Sequence, residues 1–173
     1  MNACIIGSFQ KYYDEILKVI EYFNSNGIDI LSPKSSFIVK NEEGFVILGS
    51  DYSELRHEEI QLMVFHKMYQ SDFIYIWNPS GYIGKTTCYE IGKAEGNNIP
   101  IYFKENPIDL PIFISQDAVI SPEELCEYIV KNHEIPPLNY NHEGLAYKLS
   151  QALRKGIYFR EVEEVYNENC NIW

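Results

Sequence analysis

Five short runs of this chain are apolar at nearly every position: residues 3–6, 28–31, 73–77, 99–103 and, more weakly, 118–120. A strand with one wet face alternates apolar and polar residues, whereas a strand that is apolar throughout is buried on both faces. Between these runs lie stretches with helical spacing. Residues 13–23 place apolar side chains at 13, 16, 17, 19, 20 and 23, and Asn26-Gly27 closes that helix. Residues 51–70 and 87–96 read as two further helices, and Ser121-Pro122-Glu123-Glu124 opens another with a cap, a proline and acidic residues. Alternating strands and helices predict one α/β domain of three layers, with a parallel sheet in the order 2-1-3-4-5 and helices on each side.

Two regions depart from the alternation. Residues 37–48 form two apolar runs around a polar turn, the pattern of a hairpin or flap. After residue 132 the pattern changes to a linker with Pro136-Pro137, a polar amphipathic stretch over 142–155, and an acidic, aromatic end over 158–173. The expected organisation is an α/β domain over 1–132 and a helical C-terminal appendage over 133–173. That end is too apolar for a free tail, so at least a homodimer is expected.

The 173 residues are 46% hydrophobic and carry a net charge of −11. That balance argues against nucleic acid or an anionic membrane as the main partner, because phosphate-rich surfaces select clustered Lys and Arg. Cys4, Cys88, Cys126 and Cys170 form no C-x-x-C pair, so a zinc site is not expected and reduced thiols of a cytoplasmic protein are. No secretory leader, membrane span, metal or cofactor is expected.

Open parallel sheets bind ligands beyond the carboxyl ends of their strands, where strand order reverses. Two glycine-bearing loops lie there: Gly7-Ser8-Phe9 after the first strand, and residues 78–87 after the third. Their glycines let backbone N–H groups approach a ligand, and Ser8, Thr86 and Thr87 add hydroxyls. Gly84-Lys85-Thr86 has the ending of a phosphate-binding P-loop. That motif needs a glycine where Pro79 stands, and an acidic end to the next strand where Lys104 stands.

The chain resembles the nucleoside 2-deoxyribosyltransferase-like family, which includes 2-deoxynucleoside 5-monophosphate N-glycosidases. The residues that carry the resemblance are Gly7-Ser8, Leu31-Ser32-Pro33, Ser71-Asp72 and NPSGYIGKTTCYEIGKA from Asn78 onward, within about residues 1–105. It implies a flavodoxin-like fold, Glu90 as a catalytic nucleophile and Asp72 as a second catalytic group. It also implies a nucleoside or nucleotide site formed by Gly7, Ser8, Phe9, Asn78, Gly81, Tyr82, Gly84, Lys85, Thr86 and Thr87. A carboxylate suits that chemistry because it can trap an oxocarbenium-like sugar carbon as a glycosyl ester.

Two positions differ from the family pattern: Cys4 stands near a common Tyr, and Gly84 stands where transferases often have Asp. These leave room for hydrolysis, an altered substrate, or a nucleotide-binding or sensing role without turnover. Other readings of single residues also stay open. Thr87 and Glu90 have capping-box spacing, which would fold Glu90 back onto the surface of its helix. Asp72 could simply cap a strand or turn. Phe9, Tyr12 and Tyr13 could stack on a base or pack in the core.

Overall fold

A computed structural model describes residues 1–34, 38–42, 45–48, 56–108, 110–112 and 114–138, with 38–42 and 45–48 described as backbone only. The first strand, β1 (Asn2–Gly7), leads through Ser8 into α1 (Phe9–Ser25) and back to β2 (Asp29–Ser32). The predicted hairpin is present as β3 (Ile38–Glu42) paired antiparallel with β4 (Phe45–Leu48). Then come α2 (His57–Met68), β5 (Phe73–Trp77), α3 (Lys85–Gly96), β6 (Ile101–Phe103) and α4 (Pro122–Asn132). The main sheet is parallel and ordered β2-β1-β5-β6. This is an α/β fold consistent with a flavodoxin-like arrangement. The predicted fifth strand is reduced to one parallel bridge, Phe103 to Val119. Beyond residue 138 the expected appendage lies outside the described residues, as does the expected start of α2 at Asp51.

Strand pleating explains why the runs are apolar throughout. Successive side chains point to opposite faces, and both faces are covered. Ala3, Ile5, Phe73, Tyr75 and Tyr102 join α1 and α4 in one core, through Ile16, Ile20, Phe23, Leu125 and Ile129. Their neighbours Cys4, Ile6, Ile74, Ile76, Ile101 and Phe103 join α2 and α3 in the other, through Phe65, Met68, Ile91 and Ala94. Phe23 sits edge-on to both Phe73 and Tyr75, with ring centroids 6.2 and 5.4 Å apart.

Local chemistry sets the helix ends. Ser121 accepts from the Glu124 backbone N–H at 3.2 Å, and Glu124 Oε2 accepts from the Ser121 N–H at 3.1 Å, so the expected cap at Ser121 is reciprocal. After α4 the chain returns to the sheet. Ile135 and Leu138 pack on the core, and the Tyr102 hydroxyl donates to the Pro136 carbonyl. Asp72 lies at the amino end of β5. Its carboxylate accepts from the Asn2 N–H at 2.7 Å, and its own N–H donates to the Asn2 carbonyl at 2.8 Å.

Among the described residues, Gly27 and Gly81 adopt positive φ, in different surroundings. Gly27 (φ +81°) follows α1, and a Cβ there would meet nothing within 4 Å. At Gly81 (φ +70°) a Cβ would lie 2.6 Å from the Asn106 carbonyl oxygen. Gly27→Ala should therefore cost only the left-handed backbone penalty, about 1–2 kcal/mol. Gly81→Ala should cost that plus an overpacking penalty of about 1–3 kcal/mol. Urea midpoints of the two variants test this; equal losses would refute the close approach at Gly81.

Candidate functional site

The two predicted loops meet at the carboxyl edge of the sheet because β1 and β5 are neighbours, with Gly7 paired to Trp77. A Cβ on Gly7 would lie 2.7 Å from the Trp77 carbonyl oxygen, so only glycine lets the strands close here. Ser8 is the N-cap of α1, its carbonyl accepting from the Lys11 and Tyr12 N–H groups at 3.0 and 2.9 Å. Lys11 then reaches over the Tyr82 ring at 3.4 Å, which ties α1 to the β5–α3 loop. Trp77 is flanked in turn. Its Nε1–H donates to Glu15 at 3.1 Å, and the Lys104 ammonium sits 4.6 Å from its ring.

Asn78 has a framework role. Fully buried, it donates Nδ2–H to the Glu105 carbonyl at 2.7 Å and accepts from the Glu105 N–H at 3.1 Å. This side chain thus mimics a strand partner. The loop continues through a turn at Pro79–Gly81, fastened where the Ile108 N–H donates to the Gly81 carbonyl at 3.3 Å. Tyr82, Lys85 and Thr86 are exposed and Phe9 is half-buried.

Glu90 lies elsewhere on α3 than the capping-box spacing implies. Gly84 is the N-cap and the helix begins at Lys85, so Thr87 is its third residue and Glu90 falls on the second turn, not the first. The physical reason is that Gly84, in an extended conformation (φ −76°, ψ 161°), takes the capping position itself and leaves Lys85 and Thr86 helical. Thr87, Glu90, Ile91 and Ala94 then form one buried stripe, spaced at three and four residues, facing the sheet. Among the described residues Glu90 is the one buried carboxyl group, with 8% of its surface exposed.

Around Glu90 the neighbours come from two other elements. Gln61 on α2 donates Nε2–H to Glu90 Oε1 at 2.8 Å. Cys4 on β1 lies within electrostatic reach, with Ser71 Oγ 3.2 Å from its sulfur. Burial pushes the Glu90 carboxyl up to about 7, against the Gln61 hydrogen bond, which favours the ionised form. Burial likewise pushes the Cys4 thiol up to about 11, although Ser71, the Ser32 backbone and Lys67 all pull it down. Cys4 is thus a neutral thiol near neutral pH, and Glu90 is the group that changes charge there.

The structure therefore brings Gly7, Ser8 and Phe9 to the same sheet edge as residues 78–84, and sets Glu90 beside Gln61 and Cys4 on the α2–α3 face. Asp72 does not join them; it sits at the opposite, amino edge. Gln61 escaped the sequence reading because one glutamine on a helix carries no spacing signal. Trp77 reads from sequence only as a strand residue. A separate groove of about 290 Å³ lies along β6, walled by Ile99, Ile101, Phe103, Ile114, Pro136 and Leu138. It contains none of the predicted site residues, and its lining is mostly apolar. No group of three His, Cys, Asp or Glu among the described residues could hold a metal ion, and no described helix is long and apolar enough to cross a membrane. Comparison with family models, curated proteins and solved structures finds no match to this chain.

The raised Glu90 pKa has a consequence for stability. Its ordinary value is 4.5 and its folded value about 7, so between these the folded state holds a proton that the unfolded state has lost. Stability is full below about 4.5 and falls as pH rises through 7, by on the order of 3 kcal/mol. Glu90→Gln keeps the shape and can still accept from Gln61 but has no charge to bury. It should melt above wild type at pH 8 and with it at pH 4.5. Parallel melting curves across that range would rule out a buried, titrating Glu90.

Proposed function

We propose that the protein cleaves the N-glycosidic bond of a nucleoside or nucleoside 5-monophosphate, by hydrolysis or deoxyribosyl transfer, with Glu90 as nucleophile. The observation that carries this reading is a carboxylate on the sheet-facing stripe of α3, where packing alone would favour an apolar residue. Burying a carboxyl group costs stability, and catalysis is the use that such a cost serves. The resemblance at Gly7-Ser8, Ser32-Pro33 and the loop before α3 points the same way and supplies the substrate class.

The chemistry runs in two stages. The ionised carboxylate bonds to the sugar carbon as the C–N bond breaks, and the electron pair leaves on the base, which takes up a proton. Water, or a second base, then displaces the glutamate. Tyr82, exposed on the loop after β5, offers an aromatic ring for a planar base, while Phe9 and Trp77 pack against the α1–α4 core. Lys11 and Lys85 suit a phosphate. The proposal includes a cytoplasmic setting, a fifth strand reduced to its bridge, a C-terminal appendage over 133–173, and at least a homodimer, which light scattering at micromolar concentration tests.

A second reading, nucleotide binding or sensing without turnover, is favoured by the position of Asp72. Held by Asn2 at the amino edge of the sheet, it is not placed to protonate a leaving base beside Glu90.

Incubation with a panel of nucleosides and their 5-monophosphates, followed by chromatography for free base, separates the two. Glu90→Gln should lower the rate at least ~1,000-fold, about 4 kcal/mol in the barrier. Because attack needs the ionised form, kcat/KM for wild type should rise with pH through about 7. Binding without base release would remove the enzyme reading, and an active Glu90→Gln would remove Glu90 as its nucleophile.

A further inference from the structure

Glu90 is held by one hydrogen bond, and that bond makes its two oxygens unequal. Gln61 Nε2–H donates to Oε1 at 2.8 Å. No other described hydrogen bond or ion pair reaches the carboxylate, yet no fully buried side-chain polar atom among the described residues lacks a partner. Oε2 is therefore not sealed in. It keeps some surface that a water molecule can touch, while the side chain as a whole is buried.

We propose that Gln61 is the positioning residue of this site: it holds Oε1 and so presents Oε2 as the oxygen that bonds to the sugar carbon. The inference rests on the glycosidase reading. Oε2 forms a bond to C1 of the sugar as the C1–N bond breaks. The electron pair goes to the base, which takes a proton from water. In hydrolysis a water molecule then attacks C1, the Oε2–C1 bond breaks, the carboxylate is regenerated and a proton passes to solvent.

The donor is itself well placed for this role. Gln61 is half-buried on α2, next to the buried Ile60 and one turn before Phe65, which packs into the same layer as Ile91 and Ala94 of α3. Packing thus fixes the backbone from which the amide reaches Glu90. A neutral donor also matters. An ammonium at this point would neutralise the nucleophile and weaken its attack, whereas an amide orients a carboxylate and leaves its charge in place. Among the described residues, Cys4 on β1 lies within electrostatic reach of Glu90, and Lys67 on α2 lies within reach of Cys4. Cys4 is neutral, Lys67 acts on Cys4, and among the described residues Gln61 is the side chain that favours ionised Glu90.

The test uses the full chain with Gln61→Met, which keeps length and loses the donor, and Gln61→Leu as a second variant. Two readouts are taken: base release from the best nucleotide of the panel across pH, and the Glu90 titration itself, followed by carbon NMR of labelled glutamate against Glu90→Gln. Expected are a Glu90 midpoint above that of wild type, an acid limb of the rate profile displaced in the same direction, and kcat at least ~10-fold lower with KM changed less than ~3-fold. A structural role alone would lower melting temperature and leave the midpoint in place. An active wild type whose Glu90 midpoint and kcat are unmoved by both variants overturns the positioning role alone. A wild type that releases no base overturns the glycosidase reading and, with it, the role given to Oε2.

Discussion

β1 and β5 are buried on both faces, and this condition dictates most of what surrounds them. Each strand sends alternate side chains into two separate cores, so neither face can be left to water and two helical layers must form. Parallel pairing places the helix starts of α1 and α3 at one edge, above adjacent strands. The loops that come together there, after Gly7 and after Trp77, are neighbours because their strands are. The candidate site is thus a by-product of satisfying two cores at once.

The layer between the sheet and the α2–α3 pair is where the cost appears. It is filled by Ile6, Phe65, Met68, Ile74, Ile76, Ile91 and Phe103, with Cys4 and Glu90 set among them. Low polarity raises the pKa of both groups, and for opposite practical results. A thiol moved up to about 11 is locked neutral, while a carboxyl moved up to about 7 is brought into the range where it can switch. The same burial therefore silences one group and activates the other, because their ordinary values lie on different sides of neutrality. One neutral hydrogen bond from Gln61 is enough to orient Glu90 but not enough to cancel its desolvation.

Much of this was legible in the amino-acid order, and the reasons are local. Fully apolar runs announce strands buried twice over, and the Ser121-Pro122-Glu123-Glu124 start of α4 is a chemical instruction that its hydrogen bonds carry out. The fifth strand was over-read because residues 118–120 have the right residue types, but pairing extends to only one bridge. Asp72 shows a different limit. Its place before a strand is visible in sequence, yet whether a carboxylate there serves a ligand or a neighbouring backbone depends on β1, seventy residues away. Gln61 is the clearest case: it meets Glu90 only through the packing of two helices.

The phase of α3 decides which of its residues meets that amide. Gly84 ends the loop that Asn78 and Gly81 fasten to residues 105–108, so the point where α3 starts is held from outside the helix. An α-helix turns about 100° per residue. Beginning one residue earlier or later, on the same anchored loop, would swing the stripe of Thr87, Glu90, Ile91 and Ala94 off the sheet by that angle. Tyr89, now 55% exposed, or Ile91 would then face the position Glu90 holds. A buried asparagine and a glycine with positive φ, neither touching the carboxylate, are thus part of what aims it.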